Sequence, residues 1–267
     1  MKHWKSILAM LAIAISAAIV PNDARANNYQ DMWWVGTSES GWGINIAHQG
    51  NVIFATWYIY GTNSQPTWIF LSRAERSGAQ GNTFTGDIFQ ATAGSPFSAV
   101  PFVPAQVNLR RVGMATLVFS DARTATLTYT FDGVQVVKQL TRLNLDTFNL
   151  SGTYFGGLRR EGSGCVNAAF NGSLLNQATY SVSHNVSTGS LTITEVGGTL
   201  CNFSGNVQAF GSIMEGSGNF SCAAEGITGT WTMREARPSP NALSALLALR
   251  PNGESCTLSA TIGGLKP

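Results

Sequence analysis

Residues 42–60 read Trp42-Gly43-Ile44-Asn45-Ile46-Ala47-His48-Gln49-Gly50-Asn51-Val52-Ile53-Phe54-Ala55-Thr56-Trp57-Tyr58-Ile59-Tyr60. Two runs of period-two alternation flank Gly50-Asn51, a pair suited to a two-residue hairpin turn because glycine adopts positive φ without strain. A turn there sets Ile46 against Ala55, Ile44 against Trp57 and Trp42 against Ile59. Trp42, Ile44, Ile46, Ala55, Trp57 and Ile59 then share one apolar face, and Asn45, Thr56, Tyr58 and Tyr60 lie on the other. A one-residue slip would reverse both faces, so the alternation fixes the register.

The same signals continue along the first half. Thr67 to Arg73, Thr83 to Gln90, Val112 to Ser120, Thr124 to Phe131 and Val134 to Leu143 read as further strands. Asp132-Gly133 is a second hairpin signal. Residues 93–108, with Pro96, Pro101 and Pro104, read as a loop. A boundary near residues 146–150 gives two units, 27–147 and 148–267. In the second, Tyr180 to His184, Ser190 to Glu195, Cys201 to Phe210, Ile213 to Cys222, Gly226 to Arg234 and Cys256 to Ile262 are candidate strands. Ala242 to Arg250 is ambiguous, because alanine and leucine favour a helix. The expected fold is all-β: two tandem antiparallel meanders closed as barrels or stacked as sandwiches.

The four cysteines, Cys165, Cys201, Cys222 and Cys256, all lie in the second unit. An even number in an exported chain predicts two disulfides. A turn at Gly211-Ser212 places Cys201 opposite Cys222, within bonding range across a strand pair. Cys165 then joins Cys256. Their spacings are not those of a zinc finger, and neither a metal nor a cofactor is expected.

Lys2 and Lys5, the apolar run Ile7 to Val20 and Ala24-Arg25-Ala26 follow the pattern of a cleaved signal peptide over residues 1–26. The apolar run is too short for a bilayer span. The protein is therefore expected to be exported, either to the periplasm or beyond it, with no membrane span in its mature part. The whole chain has 16 basic and 14 acidic residues; without residues 1–26, which hold Lys2, Lys5, Arg25 and Asp23, both counts become 13. A neutral chain lacks the basic excess that nucleic acid or an anionic membrane demands. Charged residues make up 11% of the sequence, less than half the usual share of about 25%.

The segment with Gly41-Trp42-Gly43-Ile44-Asn45-Ile46, His48-Gln49-Gly50, Trp57-Tyr58-x-Tyr60 and Pro66-Thr67-Trp68 resembles a motif of exported proteins of Gram-negative bacteria that carry a following cysteine-containing β domain. The resemblance implies a compartment and transfers no catalytic residues. A fainter similarity, in the hairpin meander, is to avidin-type and lipocalin-type barrels; it concerns architecture alone.

Motifs for nucleophilic, metal-dependent or phosphate chemistry are absent. His48 and His184 stand alone in their halves and read as structural. Carboxylate-dependent hydrolysis needs two acids across a cleft, for which Asp31, Glu39 and Asp87 are the candidates in the first unit. The aromatic residues carry more information. Five of the six tryptophans beyond residue 26, namely Trp33, Trp34, Trp42, Trp57 and Trp68, fall within 36 residues. Trp42 and Trp57 belong to the apolar face and read as core. Trp33, Trp34, Tyr58 and Tyr60 are read as free to meet a ligand, with Asn45, Gln49 and Gln65 offering hydrogen bonds. The function expected is that of an exported non-catalytic binding protein for a glycan or a small apolar molecule. A structural or cell-surface interaction protein and an extracellular hydrolase are the alternatives.

Overall fold

The computed structural model describes residues 27–78 and 81–267; the expected signal peptide lies outside the described residues. The chain folds as two closed antiparallel barrels of eight strands each. The first comprises β1 (Asp31–Trp34), β2 (Gly43–Gln49), β3 (Val52–Tyr60), β4 (Pro66–Arg76), β5 (Thr83–Ala93), β6 (Asn108–Phe119), β7 (Thr124–Phe131) and β8 (Val134–Arg142). The second comprises β9 (Gly152–Gly162), β10 (Gly172–Asn185), β11 (Ser190–Val196), β12 (Cys201–Phe210), β13 (Ile213–Cys222), β14 (Ile227–Ser239), β15 (Ala242–Pro251) and β16 (Leu258–Leu265).

Each barrel is a strict meander, in which every strand pairs with its sequence neighbours and the last closes on the first. Closure removes the unpaired edges that an open sheet would expose. The predicted hairpin registers hold. Ile46 faces Ala55 and Ile44 faces Trp57, with Gln49 and Val52 closing the turn. Phe131 faces Val134 around Asp132 and Gly133, which both take positive φ, at 47° and 85°. Cys201 faces Cys222, and both expected disulfides are formed. Such bonds belong to an oxidising, exported environment.

Three elements depart from the sequence reading, the first being Gly152–Gly162, a strand outside the candidates above that closes the second barrel by pairing with β10 and β16. Ala242 to Pro251 is a strand, because β14 and β16 supply partners on both sides and tertiary pairing overrides local helix preference. Asp31 to Trp34 is a further strand with no alternating signal of its own. It closes the first barrel by pairing with β2 and β8.

Inward side chains fill the first barrel. Trp33, Ile44, Ile46, Ile53, Trp57, Ile69, Leu71, Phe84, Ile88, Leu117 and Phe119 are fully buried. Outward positions carry threonines and ion pairs such as Arg110–Asp132 and Arg111–Asp87. No helix among the described residues is long and apolar enough to cross a membrane.

The barrels meet at the Gly211-Ser212 turn of the second. Asp31 Oδ2 accepts hydrogen bonds from Ser212 N at 2.8 Å and Ser212 Oγ at 2.9 Å. Asn144 bonds both Gly211 N and Ala209 O. Arg123 reaches from the first barrel to Glu215 of the second at 3.4 Å and lies over the Phe210 ring.

Candidate functional site

Outward positions on β3, β4 and β5 form an aromatic wall. Tyr58 stands directly opposite Trp68, and Phe70 directly opposite Phe89. Trp68 and Phe70 are stacked with ring centres 5.5 Å apart, Phe70 and Phe89 at 5.9 Å, and Phe54 meets Phe70 at 6.3 Å. These spacings lie in the attractive range for offset ring pairs. Tyr58 and Tyr60 are 63% and 58% exposed, and Phe54 and Trp68 are each 44% exposed. The rings therefore cluster on a sheet surface, with Tyr58, Tyr60, Phe54 and Trp68 exposed and Phe70 and Phe89 half-buried among them.

The row through Tyr58 extends in the other direction to Trp34. Tyr58 is paired with Gly43, and Trp34 stands one step beyond the Trp33–Ile44 pair, beside that same glycine. A Cβ built on Gly43 would meet only the Trp33 carbonyl oxygen, at 3.4 Å, an ordinary contact. The backbone does not require glycine here. Its effect is a slot between the half-buried Trp34 and the exposed Tyr58. Asn45 is exposed on the same face, diagonally adjacent to Tyr58 across the strand pair.

The structure thus brings Trp34, Asn45, Tyr58 and Tyr60 to one outer face. Trp33 is a correction. It is fully buried, its Nε1 donates to Tyr29 O at 3.0 Å, and the Arg142 guanidinium lies 5.0 Å from its ring centre. It belongs to the core because β1 turns it inward. Trp68, Phe70, Phe89 and Phe54 complete the wall in its place. Trp57 is core as expected, while Trp42 is half-buried at the barrel mouth.

Two of the three candidate acids, Glu39 and Asp87, are held in their charged forms, while Asp31 pairs with Arg142. Glu39 accepts from Lys138 Nζ at 2.7 and 2.9 Å and from Trp42 Nε1 at 2.9 Å, which holds its carboxyl below the usual range. Asp87 is held low by a 2.6 Å bond from Arg111. A glycosidase needs one acid kept protonated near neutral pH, and neither residue supplies it. His48 Nδ1 accepts from Tyr29 N at 3.1 Å, and its ring stacks on Tyr29. His184 Nδ1 accepts from Leu150 N at 3.3 Å. Both imidazoles are tied into the framework. Cys165, Glu254 and Cys256 cluster closely enough to suggest a metal site, but both sulfurs are consumed by their disulfide.

No family model matches the chain, and no curated protein matches it. Among solved structures, a proposed outer membrane protein of Bacteroides fragilis aligns over 90% of this chain and 97% of its own at 12% identity. The TM-score of 0.32 is too low for that similarity to carry an argument about fold or function.

Proposed function

We propose that the protein is an exported, non-catalytic glycan-binding protein whose platform is the outer wall of the first barrel. The observation that carries this reading is the exposed pair Tyr58 and Trp68 on β3 and β4, flanked by the half-buried Phe70 and continued past Gly43 to the half-buried Trp34. Sugar rings present C–H faces that stack on aromatic faces, and a chain of them can lie on an open wall. A small apolar molecule needs a concave enclosure instead. Asn45 and Thr56 stand among the rings as hydrogen-bonding groups for sugar hydroxyls. The interior of this barrel is filled, which leaves its outer surface as the place for a ligand.

A second reading draws on the loop between β5 and β6. Phe97 and Val100 are 104% and 95% exposed, and no charged residue occurs from Ile88 to Leu109. An apolar loop of this kind favours an interaction protein that docks on another macromolecule.

Electrophoresis through gels cast with soluble polysaccharides tests the first reading. Retardation by one glycan class that is lost in Tyr58→Ala and Trp68→Ala supports it. Unretarded migration with every glycan, combined with self-association that Phe97→Ser abolishes, would transfer support to the second.

A further inference from the structure

The interior of the second barrel is open at one end. A cavity opens at the end remote from the Gly211-Ser212 turn, where both disulfides lie. Its walls include Leu158, Phe203, Phe220, Leu249 and Leu258. The cavity has a volume of about 40 Å³.

Three buried polar side chains line the inner part of this space, Arg160, Tyr180 and Glu195, with Asn176, Thr199 and the exposed Glu225 completing its polar lining. Tyr180 and Glu195 stand directly opposite each other on β10 and β11. The Glu195 carboxylate is held by three donors. It accepts from Asn176 Nδ2 and Thr199 Oγ1, each at 2.5 Å, and from Cys201 N at 3.1 Å. Arg160 holds the loop that covers the barrel end, through a 3.0 Å bond from Nη2 to Ala169 O and a guanidinium 5.2 Å from the Phe170 ring centre. Cys165–Cys256 and the Glu254 carboxylate, which accepts from Val166 N and Asn167 N, anchor the same loop.

Two atoms remain unexplained by this framework. The Tyr180 hydroxyl and Arg160 Nε are buried and have no hydrogen-bond partner. Tyr180 is only 3% exposed. A buried polar group without a partner is costly and occurs where something else completes it. Burial, with the Glu195 charge beside it, pushes the Tyr180 hydroxyl up to about 12, so it stays a proton donor at any physiological pH.

We propose that this cavity is a binding site for a small neutral molecule with an apolar body and one oxygen that accepts a hydrogen bond from Tyr180. Neutrality follows from the buried walls: the Arg160 guanidinium and the Glu195 carboxylate balance each other there, and the further carboxylate, Glu225, stands exposed to water. An acceptor follows from the unsatisfied groups, since Arg160 Nε–H can only donate and the Tyr180 hydroxyl keeps a hydrogen to give. An apolar body follows from the leucine and phenylalanine lining. The competing occupant is water, for which the inner space has room for roughly two or three molecules.

The test uses the full mature chain with 2-heptanone as probe, and 1-heptanol, heptanoate and the hydrocarbon toluene as comparisons, followed by saturation-transfer NMR and titration. Saturable binding of the ketone and the alcohol is expected, with heptanoate and toluene at least tenfold weaker. Tyr180→Phe should weaken ketone binding at least tenfold while the melting temperature stays constant or rises. Leu174→Trp, at the partly exposed rim, should block entry without touching the polar groups. Failure of all four probes to bind saturably, or ketone binding unaltered in both variants, would overturn the proposal and leave the cavity as a water site. Glycan retardation on the first barrel is read separately, so the two sites fail independently.

Discussion

Asp31 and Arg142 form a nearly buried ion pair, 2.8 Å from Oδ2 to Nη1, at the seam where the first barrel closes. Arg142 also donates to Ala122 O at 2.5 Å, Gln30 O at 3.1 Å and Asn28 O at 2.6 Å. The same Oδ2 is the acceptor for Ser212 of the second barrel. One carboxylate thus serves both the closure of one domain and the docking of the other.

Removing the guanidinium should therefore be severe. Arg142→Ala strands the Asp31 charge and three carbonyls, and is expected to cost about 3–5 kcal/mol. Urea unfolding followed by tryptophan emission checks this, since Trp33 lies beneath the guanidinium. Ser212→Ala removes one 2.9 Å contact and leaves the backbone bond, so a loss well below that of Arg142→Ala is expected.

Stability should fall on mild acidification. Burial is the leading cause that lowers the proton affinity of both His48 and His184 from the ordinary value of 6.5. The unfolded chain then binds more protons than the folded one as pH drops below that value. The contribution of each imidazole is complete above pH 6.5 and is lost as pH falls through the depressed folded value. Melting temperatures across pH 7.5 to 5 should decline in the native protein. A smaller decline is expected in His48→Gln, and an unchanged one would contradict the assignment.

The two disulfides should contribute unequally. Cys165–Cys256 spans 91 residues and Cys201–Cys222 spans 21. Loop-closure entropy assigns them about 4.5 and about 3 kcal/mol respectively. Calorimetry of the two paired alanine variants should show the larger fall for the long loop. Both losses should be confined to the transition of the second barrel.

Filling the slot beside Tyr58 separates folding from recognition. Gly43→Val adds a β-branched residue to a strand that has space for its Cβ, so stability should hold or rise by about 0.5–1 kcal/mol. The same side chain should separate Trp34 from Tyr58 and weaken glycan retardation several-fold. Weaker folding with unchanged retardation would show that the glycine serves the backbone.

The hairpins were legible because their turn residues and alternation are local: Gln49 with Val52, Phe131 with Val134 and Phe210 with Ile213 each close where the sequence indicates. β1 was not legible, since four residues cannot show a period and its partner β8 lies more than 100 residues away. Trp33 was misread for that reason. The meeting of Phe70 with Phe89 depends on a register shift between Leu71 and Glu75 that no residue type announces. The cavity was hidden too, because its polar groups come from β9, β10 and β11 and share no motif.

Both barrels are held by inward side chains set at every second position. Those positions demand apolar volume and tolerate many identities. In evolutionary terms, the interior fixes a shape while leaving few letters fixed, so lineages can lose sequence likeness and keep the meander. The outward rings of β3, β4 and β5 form no part of that interior and can be exchanged position by position. Such a protein can change its partner without re-inventing its scaffold.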